Sequence, residues 1–322
     1  MNIAEIAKLA GVSSAAVSRY FNNGRISEEK REAIRRVVEE TGYRPSVQAQ
    51  TLRTRKTKMI GVIVPKVASA SIGRVVEGIL SVVNESGYQM LLSVTQNNPE
   101  KELEYLSVFN HKQVDGVILV ATIFSEEHKQ ALRHMKVPVV IVAQELSGFP
   151  CVYHDDYRAS YELTRLLFEK GRKILGYISA IREDRAVGEE RFLGYRDAVR
   201  DLGYGCLAEH YVISSFAMES GYEKTGELLE RFGRPDGLVC ATDSIAIGAM
   251  QYLREHGFRI PEDVLVAGHG DSTLSRVTSP PLITVHYSYK ESGEIAVQML
   301  FELLNTGETA QREVKLGFYI RE

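Results

Sequence analysis

Ser14, Ser18, Arg19 and Asn22 recur at three- and four-residue spacing, so on a helix their hydroxyls, guanidinium and amide share one side. Ala15 lies beside them and Ser13 stands just before. Val17 and Phe21, four apart, make the opposite, apolar side. A helix with small hydrogen-bonding groups and one cation outside and an apolar face inside is expected in the major groove of DNA when it is the second helix of a helix-turn-helix.

One other cluster invites acid–base or metal chemistry, His154-Asp155-Asp156. It has no partner motif, and Asp156 reads better as the cap of a following helix. No Ser-His-Asp order, P-loop or zinc spacing occurs elsewhere. No catalytic residue, metal or cofactor is assigned, and the chain is not read as an enzyme.

The elements that must hold the first group are short. Ile3, Ile6, Ala7 and Ala10 repeat at helical spacing, Gly11 allows a sharp turn, and Ser13 is placed to cap the next helix. This is the plan of a helix-turn-helix. A third helix is expected from about Ser27 to Thr41, with Ser27 as cap, Ile34, Val37 and Val38 as its apolar stripe and Gly42 as terminator. The stretch from 46 to 58 is cationic and poor in core residues. It reads either as a solvated linker or as a segment that becomes helical on DNA and wedges Leu52 into the minor groove.

From Met59 the texture changes. Apolar strand patterns at 59–64, 89–94, 116–120 and 137–142 alternate with helical segments such as 73–86 and 99–111. A second series runs through 174–178, 237–240 and 264–268. Continuous apolar strands alternating with helices predict parallel sheets covered on both faces. The expected fold is a small all-α head followed by two doubly wound α/β subdomains, with ligands beyond the carboxyl ends of the strands.

Charge follows the same division. Residues 1–60 carry 12 Lys and Arg against 6 Asp and Glu, a surplus of +6 that leaves −9 for the other 262 residues of a chain whose total is −3. A basic head on an acidic body suits contact with phosphate at one end only. Hydrophobic content of 44% and charged content of 25% are those of an ordinary globular protein. Cys151, Cys206 and Cys240 fit neither a disulfide framework nor a zinc site and read as buried thiols of a reducing cytoplasm. No export leader or membrane-length apolar run is recognised, so a cytoplasmic location without membrane contact is expected.

These features together resemble the LacI (lactose-repressor) family of bacterial transcription regulators over essentially the whole chain. The resemblance is carried by Val12-Ser13-Ser14-Ala15-Ala16-Val17-Ser18-Arg19, Thr41-Gly42-Tyr43-Arg44-Pro45, Ala49-Gln50-Thr51-Leu52, residues 241–249 and Ser279-Pro280-Pro281-Leu282. Within the family, Ser69-Ala70-Ser71, Tyr153-His154-Asp155-Asp156 and Glu219-Ser220-Gly221-Tyr222 resemble the trehalose- and sucrose-repressor branch. The resemblance implies a helix-turn-helix head over 1–45, a hinge over 46–58, and a periplasmic-binding-protein-like core over 59–322. The core's amino-terminal subdomain would take about 59–157 and 287–314, its carboxyl-terminal one about 158–286 and 315–322. It further implies a homodimer that binds double-stranded operator DNA and a small sugar effector. Ser14, Ala15 and Arg19 would face base edges, while Ser13, Ser18, Asn22 and Arg25 would meet phosphate. A bidentate Arg–guanine pair contributes ~1–3 kcal/mol of discrimination.

For the effector, the resemblance points between the subdomains. Arg191 matches the family's ligand-gripping arginine, and is otherwise a surface charge on a helix. Thr242 and Asp243 open a strand-to-helix turn, where Asp243 is a ligand or a cap. Asp271 stands where the family often has paired acids; Gly270 replaces the first, leaving Asp271 as the acceptor of sugar hydroxyls. Phe216, Tyr289 and Tyr287 are candidates to stack on a sugar face or to pack in the core. Lys66, Ser69 and Ser71 follow the first strand and Gln144 the fourth; Lys66 would meet a phosphate or simply be solvated. The expected function is sugar-controlled repression, with a disaccharide or its phosphate as effector. The rivals are a transporter's solute receptor, a sugar-processing enzyme, and a regulator with a non-sugar corepressor such as a purine.

Overall fold

Ile6, Val17 and Ile34, one from each of three helices, are fully buried in a common core at the amino terminus. The computed structural model describes residues 1–22, 24–43, 56–111, 114–205, 208–306 and 312–322. It divides into two units, Met1–Lys58 and Met59–Glu322. In the first, α1 (Ile3–Leu9) starts from a reciprocal cap: Asn2 accepts from the backbone N–H of Ala4 and Glu5, and the Glu5 carboxylate accepts from that of Asn2 at 3.0 Å. Ser13 caps α2 (Ser14–Phe21) as expected, accepting from the Ala16 N–H at 3.2 Å. Ser27 does precede α3 (Glu28–Thr41), but its hydroxyl makes no capping bond; Gly42 ends that helix. Of the hinge expected over 46–58, residues 46–55, Leu52 among them, lie outside the described residues.

The second unit contains two six-stranded sheets. Its first sheet takes β1 (Met59–Val64), β2 (Gln89–Val94), β3 (Gly116–Val120), β4 (Val139–Val142), β5 (Cys151–His154) and β11 (Glu313–Leu316), ordered β11-β5-β4-β3-β1-β2. All of its pairings are parallel, with Val62 opposite Ile118, Ile118 opposite Val140 and Val142 opposite Val152. Packed on it are α4 (Ala70–Glu85), α5 (Pro99–Asn110), α6 (Glu126–Arg133) and α12 (Tyr289–Thr306). The fourth strand starts at Val139 rather than 137, since Pro138 has no N–H to give the ladder and contributes only its carbonyl, to Val117.

The second sheet takes β6 (Leu175–Ser179), β7 (Tyr211–Ile213), β8 (Gly237–Cys240), β9 (Leu265–His269), β10 (Ile283–Tyr287) and β12 (Phe318–Arg321), ordered β12-β10-β9-β8-β6-β7. Only β12 runs antiparallel. Around it lie α7 (Asp156–Glu169), α8 (Arg191–Asp201), α9 (Met218–Phe232), α10 (Asp243–Glu255) and the short α11 (Thr273–Val277). The chain passes between the sheets after β5, after β10 and at Gly317, so the last crossing falls two to three residues beyond the expected one.

After the second crossing, α12 returns to the first sheet by close packing on α4. A Cβ on Gly78 would lie 1.9 Å from the Lys290 carbonyl oxygen, and one on Gly293 would lie 2.2 Å from that of Val75. No other side chain allows this backbone approach. Cys151 and Cys240 are buried free thiols, which burial pushes up; Cys206 lies outside the described residues. Among the described residues, no helix is long and apolar enough to cross a membrane.

Between α5 and α6, Glu102 and His128 are both buried, with Oε1 and Nε2 3.7 Å apart. Burial pushes the Glu102 carboxyl up to about 7 from 4.5 and pushes the His128 ring down. The folded chain thus keeps a proton that the unfolded chain releases, and its contribution is complete below pH 4.5 and lost as pH rises through 7. Glu102→Gln is therefore expected to stabilise the protein at pH 8, by up to roughly 3 kcal/mol, and to have little effect at pH 4.5. Calorimetric melting at the two pH values checks this.

Candidate functional site

The carboxyl ends of β1, β3 and β4 face those of β6, β8 and β9 across a cavity of about 210 Å³. Lys66, Ser69, Ser71 and Gln144 line it from the first sheet's loops; Arg191, Phe216, Thr242 and Asp243 line it from the second; Tyr289 enters from the start of α12. Nine of the eleven residues named as effector candidates therefore share one cavity.

Arg191 is no surface charge. A π-helical turn, Arg185–Glu190, delivers it to the first position of α8, where it is buried. Its Nε donates to Asp156 Oδ1 at 2.7 Å, its Nη1 donates to the Ala241 carbonyl at 2.6 Å, and its guanidinium sits 4.9 Å from the Tyr287 ring centre. The capping role expected of Asp156 belongs to Asp155, which accepts from the Arg158 N–H. Of two consecutive acids at a helix start, the one turned to solvent caps and the one turned inward answers the buried cation. Burial pushes the Asp156 carboxyl up, against the pull of that guanidinium.

Asp243 is not a cap either, since Thr242 takes that place by accepting from the Ile245 N–H at 3.3 Å. Its carboxylate accepts from Thr284 Oγ1 at 2.5 Å and from the Ser272 N–H at 2.7 Å. Asp271 is the correction. It lies outside the cavity lining, and its inaccessible carboxylate is held by Arg276 (2.9 and 3.0 Å), His286 (2.8 Å) and Arg321 (3.2 Å). Burial raises this carboxyl, but the hydrogen bonds from Arg276 and His286 and the charges of Arg276 and Arg321 outweigh it and hold the group below its ordinary range. The backbone has positive φ at two successive residues here, Gly270 at +134° and Asp271 at +44°, and the Gly270 carbonyl accepts from Arg74. Tyr287 is likewise buried beneath the cavity rather than lining it.

Two bridges join the sheets across the cavity. Arg74 of α4 donates to the Gly270 carbonyl and lies 4.9 Å from the Tyr289 ring centre. Gln144 donates to the Thr122 carbonyl at 3.0 Å and to Asp184 Oδ1 at 2.8 Å, and accepts from the Ala186 N–H at 3.3 Å. Burial pushes the Asp184 carboxyl up to about 6. Lys66 Nζ stands 5.1 Å from the Phe216 ring centre, and burial lowers its ammonium. Ser69 and Ser71 hydrogen-bond each other at 2.9 Å.

Sequence reasoning missed Arg74, His154, Asp184 and His269 as lining residues. Asp184 sits in Arg182-Glu183-Asp184-Arg185, which has the look of a solvated charged run. A buried arginine's need for an anion was the available signal for Asp156. Among the described residues, no group of three or more His, Cys, Asp or Glu is placed to hold a metal.

In the first unit, Ser13, Ser14, Ala15, Arg19, Asn22 and Arg25 are exposed, while Ser18 is half-buried. Asn22 Nδ2 donates to the Ser18 carbonyl. The α2 residues lie opposite buried Ala16 and Val17, the division expected of a groove-reading helix.

The reassignment of the two acids is testable. Asp156→Asn leaves the Arg191 charge buried without an anion and is expected to lower stability by about 3 kcal/mol. Asp155→Asn retains a capping side chain and is expected to change it little. Thermal melting of the two variants separates these roles.

Residues 2–46 match the family described as bacterial regulatory proteins, lacI family, and residues 164–322 match the periplasmic binding protein-like domain. The chain is 32% identical over 311 residues to the sucrose operon repressor of Staphylococcus xylosus, covering 97% of this chain and 96% of that one. It is 30% identical over 314 residues to the HTH-type transcriptional repressor PurR of Vibrio atlanticus (strain LGP32), covering 96% and 94%. Among solved structures, a complex of the transcriptional regulator CelR with cellobiose is similar at TM-score 0.77 and 26% identity, over 100% of this chain and 98% of that one. The lac repressor dimer bound to operator and the anti-inducer ONPF shares the fold, at TM-score 0.91 and 20% identity over 100% and 98%. From its amino-terminal helices to its paired parallel sheets, the chain belongs to the LacI family of bacterial regulatory proteins.

Proposed function

We propose that this protein is a sequence-specific DNA-binding repressor whose hold on its operator is set by a small sugar, a disaccharide or its phosphate. One observation carries the effector half: a cleft whose two walls are spanned by side-chain bridges, among them Arg74 to Gly270 and Gln144 to Asp184, with an aromatic ring on each side. A ligand that fits one wall arrangement better than another shifts the balance between them, by its differential affinity and no more. Similarity to the sucrose operon repressor and to the CelR–cellobiose complex supports a sugar. The exposed α2 face supports DNA. Ser14, Ala15 and Arg19 meet base edges; Ser13, Ser18, Asn22 and Arg25 meet phosphate. The protein acts as a cytoplasmic homodimer, as the lac repressor dimer suggests. Paired 46–58 segments order in the minor groove around Leu52, and sugar releases them.

The PurR relatives favour a second reading, a corepressor such as a purine. The sign of the response separates the two, since an inducer loosens operator binding and a corepressor tightens it.

Gel-shift titration of the promoter fragments of the protein's own genome, with and without sugars, tests the proposal. Binding is expected to fall steeply with salt, and Arg19→Ala to lose about 1–3 kcal/mol of preference for the specific site. Arg191→Met is expected to keep operator binding and lose the sugar response. Equal indifference to every fragment at low salt overturns the DNA assignment; loss of both properties in a folded Arg191→Met protein overturns the effector assignment.

A further inference from the structure

We propose that His154 and His269 are the specificity-determining end of the cleft, where their Nε2 atoms accept hydrogen bonds from hydroxyls of the effector's deepest ring and exclude a phosphate or carboxylate. This assignment rests on the sugar-responsive reading above and adds to it which end of the molecule enters first. Both residues line the cavity, His154 at 6% and His269 at 2% exposure. The Nε2 of each is buried with no hydrogen-bond partner among the described residues. Buried polar atoms are nearly always paired, so two orphans lining one cavity point to a ligand's polar atoms.

The direction of the missing bonds follows from the rings' other contacts. His269 Nδ1 lies 3.0 Å from the Cys240 carbonyl oxygen, which can only accept. The proton is therefore on Nδ1, and Nε2, on the ring edge away from β8, is a bare lone pair. His154 Nε2 is likewise unpartnered, and the Ser288 backbone lies beside this ring. Burial, then the Arg191 guanidinium, pushes His154 down to about 4 and His269 well below its ordinary range, so both rings stay unprotonated at neutral pH. Tyr287 holds them in place, with ring centres 5.1 Å from His154 and 6.3 Å from His269.

The carboxylates around the cleft are already engaged. Asp156 accepts from Arg191, Asp184 from Gln144 and Val187, and Asp243 from Thr284 and Ser272. The two imidazole nitrogens accept from nothing. A hydroxylated ring supplies the O–H donors they need; a phosphate or carboxylate would set its own lone pairs against theirs. Any anionic group on the effector instead belongs beside Lys66, which pairs with no carboxylate among the described residues.

Full-length wild type, His154→Phe and His269→Phe are to be titrated with sucrose, trehalose and cellobiose by calorimetry. Phe keeps the ring and removes the acceptor. Apo melting temperatures are expected to fall only modestly, because the orphan Nε2 is lost together with the ring's N–H donor to a backbone carbonyl, while affinity for the sugar that binds wild type falls at least tenfold. That split is one a purely structural role does not produce. As a second measurement that needs no variant, ¹⁵N-histidine spectra of wild type are expected to show both Nε2 signals moving at saturating sugar. Variants that bind as tightly as wild type, or Nε2 signals that stay fixed at saturation, overturn the assignment and leave the sugar-responsive reading standing. Failure of all three sugars and their phosphates to bind wild type overturns that reading and this assignment with it.

Discussion

A guanidinium cannot stay buried without an anion, and that constraint organises the floor of the cleft. Arg191 touches Asp156 at the start of α7, the Ala241 carbonyl just beyond β8, and the ring of Tyr287 at the end of β10. Two of these three elements adjoin points where the chain passes between the sheets. The cation thus ties the crossings to the second sheet and sets the field in which its neighbours titrate. His154 and His269 are held unprotonated by burial and by this charge.

Above that floor the walls meet through polar contacts. Arg74 reaches Gly270, Gln144 reaches Asp184 and Ala186, and Lys66 stands over Phe216. Each sheet, by contrast, has its own apolar core. Hydrogen bonds between two independently packed bodies can be exchanged for bonds to a ligand without disturbing either core, which is what a small molecule needs to move a balance between arrangements.

Much of this was legible in the chain. The apolar runs at 59–64 and 116–120 could be little but buried parallel strands, and Ser13 and Gly42 mark helix ends through local chemistry. Residues next to strand ends, such as Lys66, Gln144 and Asp243, were named through the family resemblance, and the topology agrees, because the carboxyl ends of parallel strands open onto the cleft. Asp156 and Asp271 were misread for one reason. Their roles depend on which way a carboxylate turns at a helix start or a strand end, and nothing adjacent in the chain reveals the partner waiting there.

The order of residues by itself determined the three-helix head, the two series of covered strands and the strand ends from which a site would be built. These follow from periodicity and capping, which act over a few residues. Only the tertiary structure decided that Arg191 is buried against an acid 35 positions away, that Asp271 pairs with Arg276 and Arg321 outside the cleft lining while the Gly270 carbonyl meets Arg74, and that two histidines line the cavity. Those outcomes depend on desolvation and pairing between distant segments, and charge placement is settled only when the fold brings its counter-charge within reach.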